Sequence, residues 1–237
     1  MGKRDFIAVV EGGTDAVSLR ALKEMCAGTD VHFHVMSGDI TTMGVGRTGI
    51  VAYLADKVAA YVSAGKIPAK GLVGVMHIMD TDGAFVPPER VLGNPGAPER
   101  GIDYREDCML CRYPDKVRLR NGLKGNLMQR LAGQPALTLA RYKVPYRCYY
   151  MSRNLEHVLH GESGVLTERE KAGLAKGFAD RRLNPAELEA LFMDPAVYVP
   201  GSYKETWEYI QVGTRSLERH SNMHLAFTFL RECGGVG

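Results

Sequence analysis

The sequence predicts an α/β protein, a parallel β-sheet flanked by helices and followed by a helical C-terminal extension. Three observations carry this expectation. Apolar runs rich in β-branched residues at 6–10 (FIAVV), 31–36 (VHFHVM) and 72–79 (LVGVMHIM) alternate with helical patterns on short links, which is the spacing of right-handed β-α-β crossovers. Each run gives way to acids, at Glu11, near Asp39, and at Asp80 and Asp82. Beyond residue 154 the pattern turns helical.

The elements follow in order. Residues 6–10 read as a buried strand. From Asp15 to Cys26, Leu19, Leu22 and Cys26 share one helical stripe, and Gly28 is placed to stop it. The second strand ends at Ser-Gly-Asp. A helix from Thr48 to about Val62 has Ile50, Val51, Leu54, Val58, Tyr61 and Val62 at helical spacing. The third strand runs straight into Asp80-Thr81-Asp82-Gly83. Residues 84–121 show little pattern and read as a long loop or insertion beside the sheet. A helix near 122–132 precedes a fourth strand around 144–150, which ends in Ser-Arg-Asn-Leu-Glu. Helices are expected at 154–160, 167–180, 185–193, 203–211 and 216–231. The chain divides into a catalytic unit over 1–160 and a helical extension over 161–237.

Composition bounds the class. With 237 residues, 45% hydrophobic and 24% charged, the chain has the make-up of a soluble globular protein. No run approaches the roughly 18 apolar residues of a membrane span, and the N-terminal apolar stretch is too short for a signal peptide. Five irregularly spaced cysteines suit a reducing compartment, so a cytoplasmic location is expected. From Arg112 to Arg153 ten Arg or Lys residues face one acid, Asp115. Arg112, Lys116, Arg118, Arg120, Lys124, Arg141, Lys143 and Arg147 are therefore candidate nucleic-acid contacts, with tyrosines 113, 142, 146, 149 and 150 interleaved for base stacking. A solvated basic face is the plainer reading of the same run.

The acids carry the chemistry. Open parallel sheets bind ligands at the carboxyl ends of their strands. Here that edge gathers Glu11, Asp80 and Asp82, with Asp15 one helical turn on and Glu156 after the fourth strand. Carboxylates crowded together repel unless a cation neutralises them. Hard oxygen donors of this kind select Mg²⁺ or Mn²⁺. For Asp15 a helix N-terminal role stands beside the metal role, and Glu156 reads equally as a helix surface residue.

"VVEGGTD" with "HIMDTDG" resembles the Toprim domain of topoisomerases, bacterial primases and OLD-type nucleases, over roughly residues 5–160. The resemblance implies a metal site built from Glu11, Asp80 and Asp82, and the nuclease branch of the family adds Asp15 and, through "SRNLEHVL", Glu156. It implies metal-dependent phosphodiester hydrolysis of RNA or DNA, with one or two Mg²⁺ (or Mn²⁺) activating water and Arg153 neutralising the scissile phosphate. Ala84-Phe85-Val86-Pro87 replaces the basic-acidic run of topoisomerases, so that activity is not expected. The chain lacks the G-x-x-x-x-G-K-S/T loop of the larger OLD proteins, so any ATPase would be a separately encoded partner. Standalone members of this size include effectors of antiviral defence. The alternatives are a nucleic-acid-binding or regulatory subunit whose metal site awaits a partner, and a nucleotide-binding transferase using the D-x-D.

Four further features read more modestly. Cys108 and Cys111 are expected to be ordinary loop thiols, and His77 a hydrogen-bonded core histidine. Residues 41–49 (TTMGVGRTG) read as a glycine-rich active-site loop able to cradle phosphate. Arg215 and residues 219–222 read as nucleic-acid contacts or as caps of the last helix.

Overall fold

The structure is a computed structural model that describes residues 4–43, 49–97, 99 and 101–235. Residues 44–48 of the glycine-rich loop lie outside the described residues. In chain order the elements are β1 (Arg4–Val10), α1 (Gly13–Ser18), α2 (Ala21–Glu24), β2 (Val31–Ser37), α3 (Ile40–Met43), α4 (Ile50–Ala64) and β3 (Leu72–Asp80). There follow β4 (Val91–Gly93), β5 (Asp103–Tyr104), β6 (Met109–Cys111), α5 (Pro114–Ala132), β7 (Ala136–Leu139) and β8 (Tyr142–Met151). The chain then continues through α6 (Leu155–His160), α7 (Glu168–Asp180), α8 (Pro185–Phe192), α9 (Tyr203–Tyr209) and α10 (His224–Gly234).

The central sheet has the order β2-β1-β3-β8-β7, the first four strands parallel and β7 antiparallel at the edge. Successive side chains of a strand point to opposite faces, and β1 uses both. Phe6, Ala8 and Val10 pack against α1, α2, α8 and α10, and Ile7 and Val9 pack against α4 and α5. This accounts for a run that is apolar throughout rather than alternating. Among the described residues no helix is long and apolar enough to cross a membrane.

The structure departs from the sequence expectation in five places. A fifth strand, β7, pairs antiparallel at the edge of a sheet expected to be parallel with four strands. Residues 84–121 are not a plain loop. They hold a small sheet of order β4-β6-β5 with its own apolar cluster around Val91, Met109 and Cys111. Helix α5 starts at Pro114 rather than near 122, because a proline at the first helical position is preorganised for the helix, and the polar run DKVRLR shows no apolar stripe to read. The helix expected over 15–26 is split into α1 and α2, although Leu19, Leu22 and Cys26 stay buried. The helix expected over 216–231 begins at His224. Before it come a 3-10 turn at Arg215–Leu217 and a short stretch bridging β8, where Ser221 donates to Tyr150 O (2.7 Å) and Asn222 Oδ1 accepts from Tyr150 N–H (2.9 Å). These side chains satisfy strand backbone, and that outweighs local helix propensity.

The C-terminal helices share the core of the sheet. Phe227 is fully buried, 6.2 Å from the Phe192 ring, in the cluster that holds Phe6 and Tyr149. Phe227→Ala should therefore lower the stability of the whole protein by about 3–5 kcal/mol. Chemical denaturation should show one transition moved to lower denaturant. A separate early transition with the main one unmoved would mean an independent extension.

Candidate metal centre at the carboxyl edge of the sheet

Glu11 follows the last residue of β1, and Asp80 ends β3 in register with Met151 of β8. Beyond the sheet the two chains stay tied together. Thr81 N–H donates to Met151 O (2.9 Å), Asp82 N–H to Arg153 O (2.8 Å), and Arg153 N–H to Thr81 Oγ1 (2.8 Å). Asp82 and Arg153 both sit at positive φ, +48° and +55°. Non-glycine residues adopt that region at an energetic penalty, and such residues cluster at functional sites. Gly83 follows at φ +75°, where a Cβ would lie 2.5 Å from Met109 Sδ, so the D-T-D turn admits only glycine after it.

Glu11 Oε1 accepts from Asp80 N–H (3.2 Å) and the Thr41 hydroxyl (3.1 Å), and lies 3.5 Å from Lys124 Nζ. Burial pushes the Glu11 carboxyl up to about 7. Lys124 opposes this, Asp82 and Asp39 add to it, and Thr41 offsets part of it. Lys124 is 1% exposed and its ammonium donates to Asp82 Oδ2 at 2.5 Å. Burial works against the lysine charge, but Asp82 and Glu11 together hold its pKa above the ordinary value. Asp80 is raised well above the usual carboxylate range by burial, then by Glu11, Asp15 and Asp82. Among the described residues no donor bonds the Asp80 carboxylate.

A second group of acids, Asp15 and Glu156, stands within electrostatic reach, Asp15 of Asp80 and Glu156 of Asp15. Asp15 Oδ2 accepts from Gly12 N–H (2.7 Å), so it caps its own helix, and it is buried. Its pKa is raised by burial and by Glu156, and Gly12 and Lys171 counter this. Glu156 is buried in the first turn of α6, which Asn154 caps by accepting from His157 N–H (2.9 Å). Its carboxylate also receives no hydrogen bond among the described residues.

Among the described residues no three His, Cys, Asp or Glu side chains stand close enough together to hold a metal ion as arranged. Among the described residues Lys124 forms the ion pairs with Glu11 and Asp82, and Lys171 stands near Asp15. The donor set nonetheless fits a hard divalent ion. Glu11, Asp80 and Asp82 outnumber the single ammonium, and among the described residues the half-buried Asp80 and the buried Glu156 receive no protein donor.

Arg153 is 5% exposed and lines a cleft of about 250 Å³ beside Asp82. Its Nη2 donates to Arg105 O (3.2 Å), its guanidinium lies 5.5 Å from the Tyr104 ring centre, and Nε and Nη1 have no partner among the described residues.

The basic run does not form one surface. Arg112 and Lys116 are exposed and flank the Tyr113 ring. Arg118 is engaged by Asp115 and by the carbonyls of Pro88 and Val91, and Arg120 donates to Asp82 O (2.5 Å). Lys124 points into the acidic centre and is not a surface contact. Arg141 and Lys143 flank the β7–β8 turn, the length of β8 and so roughly 30 Å from the acidic edge. Arg147 is half-buried over the Tyr203 ring (4.5 Å). Tyr146, Tyr149 and Tyr150 are core residues, each at most 1% exposed, so they are not stacking platforms. The sequence run looked continuous because α5 descends from the acidic edge and β8 climbs back to it.

His77 is fully buried and bonded to the Tyr146 hydroxyl (3.1 Å), and the five cysteines are free thiols. Arg215 packs over the Tyr209 ring, and Arg219 donates to Val158 O (2.7 Å), closing the end of α6. Sequence reasoning missed Lys124 as the partner of the acids. Its signal was present: Lys124, Leu127, Met128 and Leu131 share one helical face, and a lysine on an otherwise apolar stripe is buried against a charge partner.

The Glu11 environment makes a pH prediction for the metal-free protein. Folding raises this carboxyl from 4.5 to about 7, so between those values the folded protein holds a proton that the unfolded chain has released. Its contribution to stability is present below about 4.5 and lost as pH rises through about 7. In EDTA the Tm of Glu11→Gln should gain on that of the unaltered protein between about pH 5 and about pH 8. A constant difference across that range would mean that Glu11 titrates normally.

Comparison with protein-family models, with curated proteins and with solved structures returns no match to this chain.

Proposed function

We propose that the protein is a Toprim-type, divalent-cation-dependent nuclease that hydrolyses phosphodiester bonds in RNA or DNA. The observation that carries this reading is the half-buried Asp80 carboxylate, held among Glu11, Asp82 and Asp15 at the carboxyl edge of a parallel sheet with no protein donor among the described residues. Glu11, Asp80 and Asp82 would hold one Mg²⁺ or Mn²⁺, and Asp15 and Glu156 with Asp80 would hold a second. Bound there, the ions supply Lewis acidity for water activation and for the leaving oxygen. The chain's own part is positioning. The Thr41 hydroxyl and Asp80 N–H orient Glu11, and the β3–β8 ties fix Asp82. Arg120 and Arg153 line the adjoining cleft, where a phosphate is neutralised. The test is incubation of the purified protein with single- and double-stranded RNA and DNA in Mg²⁺, Mn²⁺ or EDTA. Cleavage confined to the metal-containing reactions is expected, and none with any metal and substrate would defeat the proposal.

The Lys124 ammonium, 2.5 Å from Asp82, favours a second reading. In it the chain is a binding or regulatory subunit whose acids stay neutralised internally until a partner, such as a separately encoded ATPase, moves the lysine. Turnover that appears only on adding that partner would select it.

A further inference from the structure

The cleft beside Asp82 suits a specific ligand. Its walls are Tyr104 of β5, Arg153 at the end of β8 and Lys171 of α7, with Arg120 beside the Asp82 floor. Three cations thus face two acids, Asp82 and Glu162. Arg153 is 5% exposed, and its buried Nε and Nη1 have no partner among the described residues, so a ligand meets them only as the side chain turns toward the cleft. Leaving such donors unsatisfied costs about 1–3 kcal/mol, and a guanidinium fork matches the two oxygens of a phosphate. The rest of the lining mixes the polar Asn154 and Ser163 with apolar side chains. Ile102, Leu166 and the 63%-exposed Val165 form a lip suited to a sugar or base edge and unsuited to a bare ion.

Size sets the strand. At about 250 Å³ the cleft is smaller than the roughly 300–1,000 Å³ of pockets that bury a drug-sized ligand. It cannot enclose a base pair, and it takes the phosphate, sugar and base edge of a single nucleotide with the rest left in solvent. A paired nucleotide would have to be pulled from its stack at a penalty of a few kcal/mol, and an unpaired one would not.

We infer that this cleft binds one unpaired nucleotide of a single-stranded polynucleotide, its phosphate on Arg153 and Lys171 and its sugar and base against Tyr104 and the Val165 lip, so that the neighbouring phosphodiester lies at the acidic edge. The substrate class therefore rests on the nuclease reading, while nucleotide binding in the cleft stands without it.

The experiment is equilibrium binding in EDTA, where no cleavage occurs, using a fluorescein-labelled oligothymidylate alone and annealed to its complement. The single strand should bind at least about tenfold more tightly than the duplex. Thymidine monophosphate should displace it at concentrations where thymidine and inorganic phosphate do not. Arg153→Ala removes packing as well as charge, so the decisive variant is Lys171→Glu, whose native ion pair is a 3.8 Å contact with exposed Glu168 and which also stands near Asp15. It should weaken single-strand binding about tenfold and reduce the salt dependence. Equal affinity for duplex and single strand, displacement by inorganic phosphate as effective as by the nucleotide, or unchanged binding by Lys171→Glu would each overturn the inference. If metal-dependent cleavage occurs but duplex is bound equally well, the cleft assignment fails and the nuclease reading survives. If the nucleotide binds as described and no metal supports cleavage, the reverse holds.

Discussion

Glu11→Gln and Asp80→Asn should each reduce metal-dependent phosphodiester cleavage by about two to three orders of magnitude while the protein stays folded. The amide in Glu11→Gln can still accept from Asp80 N–H and Thr41, so the link between β1 and β3 survives. What is lost is the anionic charge. Burial and neighbouring acids already disfavour that charge, which is why the metal-free variant should be as stable as the unaltered protein or more so at alkaline pH. Asp80→Asn relieves the same repulsion, since burial and three other acids raise the Asp80 pKa. Lost activity with retained or increased stability marks residues kept for chemistry and not for folding. Cleavage rates alongside thermal melts in EDTA check both halves. Undiminished cleavage would remove these acids from the mechanism, and a collapsed fold would make them structural.

Lys124→Met should lower stability as much as the loss of a core aromatic side chain. The ammonium is 1% exposed and engages Asp82 and Glu11, and removing one partner of a buried pair leaves the others uncompensated, at a penalty of about 3–5 kcal/mol. For a chain of this size that is a fall in Tm of about 10 °C. The fall should be seen in EDTA near pH 8, where Glu11 is ionised. Divalent ions should repair much of it, because in this account lysine and metal neutralise the same acids. Saturating Mg²⁺ at about 100 times its dissociation constant contributes about 2.7 kcal/mol. The Mg²⁺-induced rise in Tm should be larger for the variant than for the unaltered protein. An equal rise in both would mean that Lys124 and the ion do not compete, and an unchanged Tm in EDTA would mean that the pair contributes nothing.

How much of this was legible in the sequence depended on where the signal lay. Strands β1, β2 and β3 were readable as the apolar runs FIAVV, VHFHVM and LVGVMHIM, whereas β7, four residues at the sheet edge, was not. Glu11, Asp80 and Asp82 were readable because parallel strands bring their carboxyl ends to one edge whatever the loops do. Asp15 was ambiguous and its geometry is double, since the one carboxylate both caps α1 and stands against Glu156. Features set by tertiary contact were hidden. The β4-β6-β5 sheet comprises strands of two or three residues, too short for any period. The course of the chain before α10 depends on Ser221 and Asn222 meeting Tyr150, some seventy residues away in sequence. Lys124 was placed with the phosphate-binding cations because its charge was read before its position on the apolar stripe. The basic run misled in the same way, since sequence adjacency from Arg112 to Arg147 spans a helix and a strand of opposite direction.

The central claim is that the carboxyl-edge acids hold a divalent cation. A Mn²⁺ titration followed by electron paramagnetic resonance tests it most directly, because bound and free ion give distinct signals. Loss of the free-ion signal is expected with the unaltered protein and not with Asp80→Asn. Equal uptake by both proteins, or none by either, would contradict the account.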